Sequence, residues 1–331
     1  MTAAQLTVAP AVPDAGPVPG TPSVQSRLLA LLLMQSVRRL GDVARLHNTV
    51  HLRLVRELFD LVGHLPPARG TRTHRIDDED VHGLWVAARN ADEGAGVILY
   101  LHGGGFVFGG TRTHRHLLAA LSVASGLPGL LLDYRRAPEH PFPAAADDAV
   151  TAYRWLLDQG FTPDQIVVAG DSAGGHLTAG LLADLHRRKL PMPAAAMLLS
   201  PFLDLTGADL DQRDAARRDP FAPPARAREC GLAYAGEYAF THRRLDVLRG
   251  NKRRWPPVLI QAGDTECLLG DSERLAEAVR AAGGHCESQI WPGQVHVFPA
   301  FYPLIPEGRQ AIRYAGSFLR TAVSGPVAAT A

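Results

Sequence analysis

The chain has 331 residues, 46% hydrophobic and 20% charged, an ordinary globular balance with enough apolar side chain for a sizeable core. A formal net charge of +1 removes the electrostatic footprint of a protein whose main partner is nucleic acid, and no nucleic-acid partner is expected. Three cysteines, Cys230, Cys267 and Cys286, are an odd number without metal-ligand spacing. Neither a disulfide framework nor a zinc site is expected, and a cytoplasmic location suits them.

The opening MTAAQLTVAPAVPDAGPVPGTP is rich in Pro and Ala and has no basic start, so residues 1–24 read as a disordered lead rather than a signal peptide. From about Ser26 to Leu65 the pattern is helical, with Leu29, Leu32, Leu33, Val37 and Leu40 on one face; residues 25–70 are read as helices contributing to a lid. The run LLALLLM at 28–34 is too short to span a bilayer and is flanked by Arg27, Arg38 and Arg39, so no stable membrane insertion is expected. The hexamer GTRTHR occurs at 70–75 and again at 110–115 with unmatched flanks, which reads as coincidence.

A strand–helix rhythm follows. Strands are expected around Val97–His102, Leu130–Asp133, Ile166–Gly170, Ala196–Ser200, Val258–Ala262 and Glu287–Trp291. Helices are expected at His116–Ser125, Ala144–Leu157, Ala173–Arg187 and Ser272–Ala282. Short apolar strands alternating with amphipathic helices predict an α/β fold, a mostly parallel sheet with helices on both faces. Residues 205–254 break the rhythm with polar sequence and Pro220, Pro223 and Pro224, and read as a lid insertion between core segments 71–204 and 255–320. Residues 321–331 read as a tail.

Two motifs carry chemistry. LHGGGFVFGG (101–110) has Phe108 where a dinucleotide fingerprint needs its third glycine, and lacks the Lys-Ser/Thr of a P-loop. Gly170-Asp171-Ser172-Ala173-Gly174 is G-x-S-x-G between an apolar strand and a helical run, the context in which a nucleophilic serine sits on a strained turn. The glycine loop then has a role: Gly104 and Gly105, with Ala173 after the serine, are the natural N–H donors of an oxyanion hole. His102 reads as a structural histidine orienting that loop. Among the later histidines, His296 in WPGQVHVF follows a strand, where a general base belongs; His176, His186, His242 and His285 do not. For the acid, Asp264 and Glu266 compete, and spacing does not settle them. Asp271 reads as an N-cap or first-turn charge. Phe106, Phe108, Phe202 and Phe298 are candidates for the acyl or alcohol pocket, and equally for core.

LHGGGFVFGG, DYRRAPEHPFPAAADD, AGDSAGG, SPFLDLT and GQVHVF together resemble the hormone-sensitive-lipase family of α/β-hydrolases, the bacterial family IV esterases, from about Arg75 to Gly316. The resemblance implies an α/β-hydrolase fold with a helical lid. It also implies hydrolysis of small to medium carboxylic esters, with short acyl chains expected, through a Ser–acid–His triad without cofactor or metal. It places Glu266 at the family's acid position, in the E-x-L-L-x-D-S form of some branches. Family members often form homodimers through late surface elements, a point the sequence leaves undecided.

Rivals on the same scaffold are an amide or N-acetyl hydrolase and a tailoring enzyme such as a deacetylase, dehydratase or cyclase. A non-catalytic small-molecule receptor is disfavoured by the presence of both Ser172 and His296. Before the strand at Val258 the chain departs from the family with a basic cluster, Arg249, Lys252, Arg253 and Arg254. It reads as a solvated loop, or as a docking patch for an acidic carrier protein delivering an acyl group.

Overall fold

The computed structural model describes residues 17–62, 68 and 70–324. Three helices open it: α1 (Val24–Gln35), α2 (Val37–Val43) and α3 (Thr49–Val62). Ser23 caps α1 by accepting the Ser26 N–H. Its own N–H reaches the Glu307 carboxylate at 2.5 Å, while Gln310 bonds the Pro17 carbonyl at 3.1 Å. Residues 17–23 of the expected lead are thus held against the end of the chain; residues 1–16 lie outside the described residues.

The core begins with a hairpin that the strand pattern did not anticipate, β1 (Thr71–Asp77) and β2 (His82–Ala88). Then come β3 (Val97–Leu101), α4 (Thr111–Ser125), β4 (Gly129–Leu132), α5 (Ala144–Asp158), β5 (Ile166–Asp171), α6 (Ala173–Arg188) and β6 (Ala195–Leu199). Two short helices, α7 (Leu210–Ala216) and α8 (Pro224–Ala235), occupy the interruption. The sheet resumes with β7 (Val258–Gly263), α9 (Leu269–Ala281), β8 (Cys286–Trp291) and α10 (Pro306–Val323), the last also unanticipated. Because α10 runs to Val323, the expected tail starts later than residue 321; residues 325–331 lie outside the described residues.

The strands form one sheet in the order β1-β2-β4-β3-β5-β6-β7-β8, antiparallel across β1-β2-β4 and parallel from β4 to β8. Alternation along β3 explains its two-sided burial. Ile98 and Tyr100 enter a layer under α4 and α10, whereas Val97, Leu99 and Leu101 enter the layer of α5 and α6. On that second face α9 closes the far end, with Leu275 and Val279 over Val258 and Ile260. Parallel strands align their carboxyl ends on one edge, and the loops after β3, β5, β6, β7 and β8 meet there.

Candidate active site

Ser172 stands between β5 and α6 with φ +51° and ψ −117°, a conformation that a side chain rarely adopts. The neighbouring backbones hold it: its N–H donates to the Leu199 carbonyl (2.8 Å) and its carbonyl accepts from Phe202 N–H (3.0 Å). The flanking glycines are obligatory sterically. A Cβ on Gly174 would stand 1.9 Å from the Leu101 carbonyl oxygen, and one on Gly170 2.4 Å from that of Gly174. Such contacts are far inside van der Waals range, so the sharp turn excludes side chains there.

His296 lies in the loop after β8, its Nε2 2.9 Å from Ser172 Oγ and its Nδ1 2.8 Å from Glu266 Oε2. Glu266 follows β7 and is buried. Its other oxygen accepts from Gly263 N–H and from the Ser200 hydroxyl, both at 2.6 Å. Ser200 Oγ in turn accepts from Val297 N–H at 3.0 Å, so this one hydroxyl ties the acid to the histidine loop. Motif reading passed over Ser200, although its place directly after β6, on the edge carrying the other site residues, is a usable signal. Burial pulls the His296 pKa down, but the hydrogen bond and charge of Glu266 outweigh it and hold the imidazole above its ordinary value.

The competing carboxylates are engaged elsewhere. Asp264 accepts from Gly293 N–H at 2.6 Å and pairs with Arg217 at 2.8 Å. Asp271 sits in the first turn of α9 and accepts from Leu203 and Asp204 N–H. The other histidines stand apart from Ser172 Oγ. His176 Nε2 faces the Leu245 carbonyl, and burial lowers its pKa to about 4.

The glycine loop is shaped from beneath. Asp171 accepts from the Tyr100 hydroxyl (2.8 Å) and from Gly103 N–H (3.1 Å), and its second oxygen faces His114 at 3.3 Å. Burial works to raise the Asp171 pKa, yet His114 and the Tyr100 bond bring it below the usual carboxylate value. His102 stacks on Tyr134 at 4.1 Å, with Nδ1 2.7 Å from the Gly103 carbonyl; burial lowers its pKa to about 3, leaving it neutral. Gly104 and Gly105 take φ of +112° and +57°. A Cβ on Gly105 would meet Cys230 Sγ of α8 at 2.4 Å. Among the described residues, no acceptor takes the N–H of Gly104, Gly105 or Ala173.

The four phenylalanines divide. Phe106 is wholly buried and stacks on Tyr234 at 3.9 Å, with Phe202 at 6.3 Å; Phe108 is half-buried and meets Phe59 of α3 at 4.6 Å. Phe298 is fully buried against Trp291 in a cluster with Leu29, Leu33 and Ile305, the core alternative of its reading. The ring the sequence reading missed is Phe221, whose centroid lies 5.6 Å from that of His296. The buried Asp219 carboxylate places it by accepting from Phe221, Ala222 and Cys267 N–H. Arg38 of α2 grips Asp214 with two bonds (2.7 and 2.8 Å) and reaches the Asp219 carbonyl at 2.9 Å. One network therefore joins the N-terminal helices, the 205–254 segment and the loop of Glu266.

Lys252 is a correction. It is buried, and its ammonium donates to the carbonyls of Val247, Leu248 and Gly250 at 2.7 Å each, while burial lowers its pKa to about 8. Of the four, Arg249, Arg253 and Arg254 are exposed, as a solvated loop requires, and Arg249 pairs with Asp246. Among the described residues there is no cluster of three or more metal-ligating side chains, and no helix is long and apolar enough to cross a membrane.

A doubly wound sheet with a nucleophile elbow at the end of β5 and a histidine after β8 defines an α/β-hydrolase. A family model described as the alpha/beta hydrolase fold matches residues 98–300. The chain is 41% identical over 238 residues to an acetyl-hydrolase of Streptomyces hygroscopicus, covering 72% of this chain and 79% of that protein. It is 35% identical over 318 residues to the carboxylesterase/phospholipase LipF of Mycobacterium tuberculosis, covering 92% and 83%. The crystal structure of an esterase from the bacterial hormone-sensitive lipase family superposes with a TM-score of 0.82 at 35% identity, covering 89% of this chain and 98% of that one. The chain belongs to the hormone-sensitive-lipase family of α/β-hydrolases.

Proposed function

We propose that this carboxylic ester hydrolase works through Ser172, His296 and Glu266 by way of an acyl-enzyme. The observation that carries the reading is the unbroken run of short contacts from Ser172 Oγ through both ring nitrogens of His296 to Glu266. His296 Nε2 takes the hydroxyl proton as Ser172 attacks the ester carbonyl, and Glu266 stabilises the imidazolium that results. The oxyanion is met by the N–H groups of Gly104, Gly105 and Ala173, each worth roughly 2.7–4 kcal/mol in the transition state. His296 returns the proton to the departing alcohol. Water then repeats the sequence on the acyl-enzyme, restoring the serine and releasing the acid.

Residues 25–62 and 205–254 act as the lid, since Phe221 and Cys230 from the second segment stand against His296 and Gly105. Short acyl groups are favoured. Phe106, stacked on Tyr234, fills space beside the glycine loop, and one relative is named an acetyl-hydrolase. That name specifies the acetyl group and not the atom that bears it, so a second reading is removal of an acetyl group from nitrogen by the same machinery.

The test is turnover of nitrophenyl esters of increasing acyl length beside an N-acetyl arylamine, comparing the intact protein with Ser172→Ala. Serine-dependent ester turnover that peaks at short chains supports the first reading. Faster release from the amide would transfer it to the second, and folded but inactive protein on every substrate would overturn both.

A further inference from the structure

A helix packed on a protein body turns its apolar side inward and leaves polar side chains to water. The N-terminal helices do not follow this. Ten of the fourteen exposed large hydrophobic side chains among the described residues fall between Val24 and Leu61. They are periodic rather than scattered: Val24, Leu28 and Leu31 recur at four- and three-residue steps on α1, and Val50, Leu54 and Leu58 at four-residue steps on α3. Each helix also has a buried side. Leu29 and Leu33 pack with Trp291, Val295 and Phe298, and Phe59 meets Phe108. The outward rows are thus a second apolar face in addition to the one that folding uses, and a face of this kind marks a binding surface.

Charge says what it binds. Residues 24–61 carry six arginines against three acids, in a chain whose total is only +1. Arg38 and Arg56 are spent on Asp214 and Glu139. Arg27, Arg39 and Arg53 are exposed and make no ion pair among the described residues; Asp42 is held by Arg38 and Arg218, and Glu57 and Asp60 offset part of that charge without cancelling it. Unpaired guanidinium groups interleaved with exposed leucines are what an anionic lipid surface complements, the chains accepting the leucines and the headgroups the arginines. A twofold contact between copies of this face would instead set those cations against one another.

We propose that the helices spanning 24–61 dock the protein peripherally on an anionic lipid surface, without crossing it. The same helices pack against the loops of His296 and of the glycine run, so docking sets the active-site entrance beside the lipid phase.

The experiment is co-flotation of the full chain with phosphatidylcholine vesicles, with and without phosphatidylglycerol. The intact protein is expected to float with the anionic vesicles and to be released by raised salt. Leu31→Ser with Leu54→Ser should lower the vesicle-bound fraction by ~10-fold, and Arg27→Glu with Arg53→Glu should abolish the preference for phosphatidylglycerol. Far-UV circular dichroism and an unchanged Tm in both variants establish that they fold. Binding is read without turnover, so failure of the esterase reading would leave this outcome intact. Absence of flotation in the intact protein overturns the proposal. So does a dimer in light scattering that the leucine pair dissolves while vesicles remain unbound, since the face would then belong to a second copy.

Discussion

At the scale of the residue, Glu266 and Asp264 test how far chemistry follows contact. Both are acids in the loop after β7, but one accepts from the histidine and the other from a backbone N–H and an arginine. Glu266→Gln is expected to lower kcat on a short nitrophenyl ester by ~10⁴-fold, and Ser172→Ala by ~10⁶-fold. Asp264→Asn should cost less than ~10-fold, because it touches neither the proton path nor the oxyanion; equal losses for the two acids would overturn the assignment. The pH dependence has a definite sign. The imidazole must be neutral to act as a base, and its pKa is held above the ordinary value of about 6.5. The acid limb of kcat/KM should therefore lie above that value and move to lower pH in Glu266→Gln, where only the more distant charges of Asp219 and Asp171 still oppose burial. The same raised pKa contributes stability fully below the unfolded value and loses it as pH rises through the folded one, which urea midpoints across that window would register.

At the scale of the element, the hexamer GTRTHR shows how little of local structure is local. Over 71–75 it lies in β1, paired with β2 and with His74 exposed; over 111–115 it opens α4, with His114 buried against Asp171. The difference lies in the residues downstream. The second copy runs into Leu117, Leu118 and Leu121, an apolar stripe that can pack on the sheet as a helix, and Thr113 Oγ1 accepts the Gly110 N–H at its start. The first copy has an edge partner and no such stripe. The hairpin β1–β2 was illegible because β1, with its largely exposed TRTHRID, lacks the apolar run that marks the parallel strands. By contrast α10 carried a readable signal that went unused: Ile312, Ala315 and Leu319 repeat at helical spacing after Pro306. Arg38 belongs to this scale as well, since it joins α2 to the 205–254 segment. Arg38→Ala leaves the partly buried Asp214 carboxylate and the buried Asp219 carbonyl without their guanidinium partner and should cost about 1–3 kcal/mol, measured by urea unfolding. It should also raise KM more than it lowers kcat, because Phe221 is positioned through that network.

At the scale of the molecule, the three cysteines are all buried and unbridged. Burial pushes the Cys230 thiol up to about 12 and Cys286 up to about 11, and raises Cys267 further. A thiol without thiolate is unreactive, so an aromatic disulfide reagent should modify none of them in the native protein and all three in guanidinium. Reductant should leave the Tm unchanged; a fall on reduction would reveal a disulfide. The sheet order also explains why residues far apart in sequence meet. Ser172, Ser200, Glu266 and His296 all follow strands whose carboxyl ends share one edge.

The sequence by itself determined the α/β class, the parallel run from β4 to β8, the serine turn and the glycine loop. Each rests on short-range constraints: apolar runs of strand length, and glycines wherever a Cβ would strike backbone. For the acid, spacing left Asp264 beside the Glu266 that the family motif favours, and the fold puts Glu266 against His296. Tertiary structure alone decided that Ser200 and Asp219 hold the loops around it, that Phe298 and Lys252 turn inward, and that apolar rows on α1 and α3 turn outward. Those depend on which loops the sheet brings together and which face of each helix finds a neighbour. A carboxylate, phenylalanine or lysine carries the same letter whether it meets an imidazole, a core or solvent.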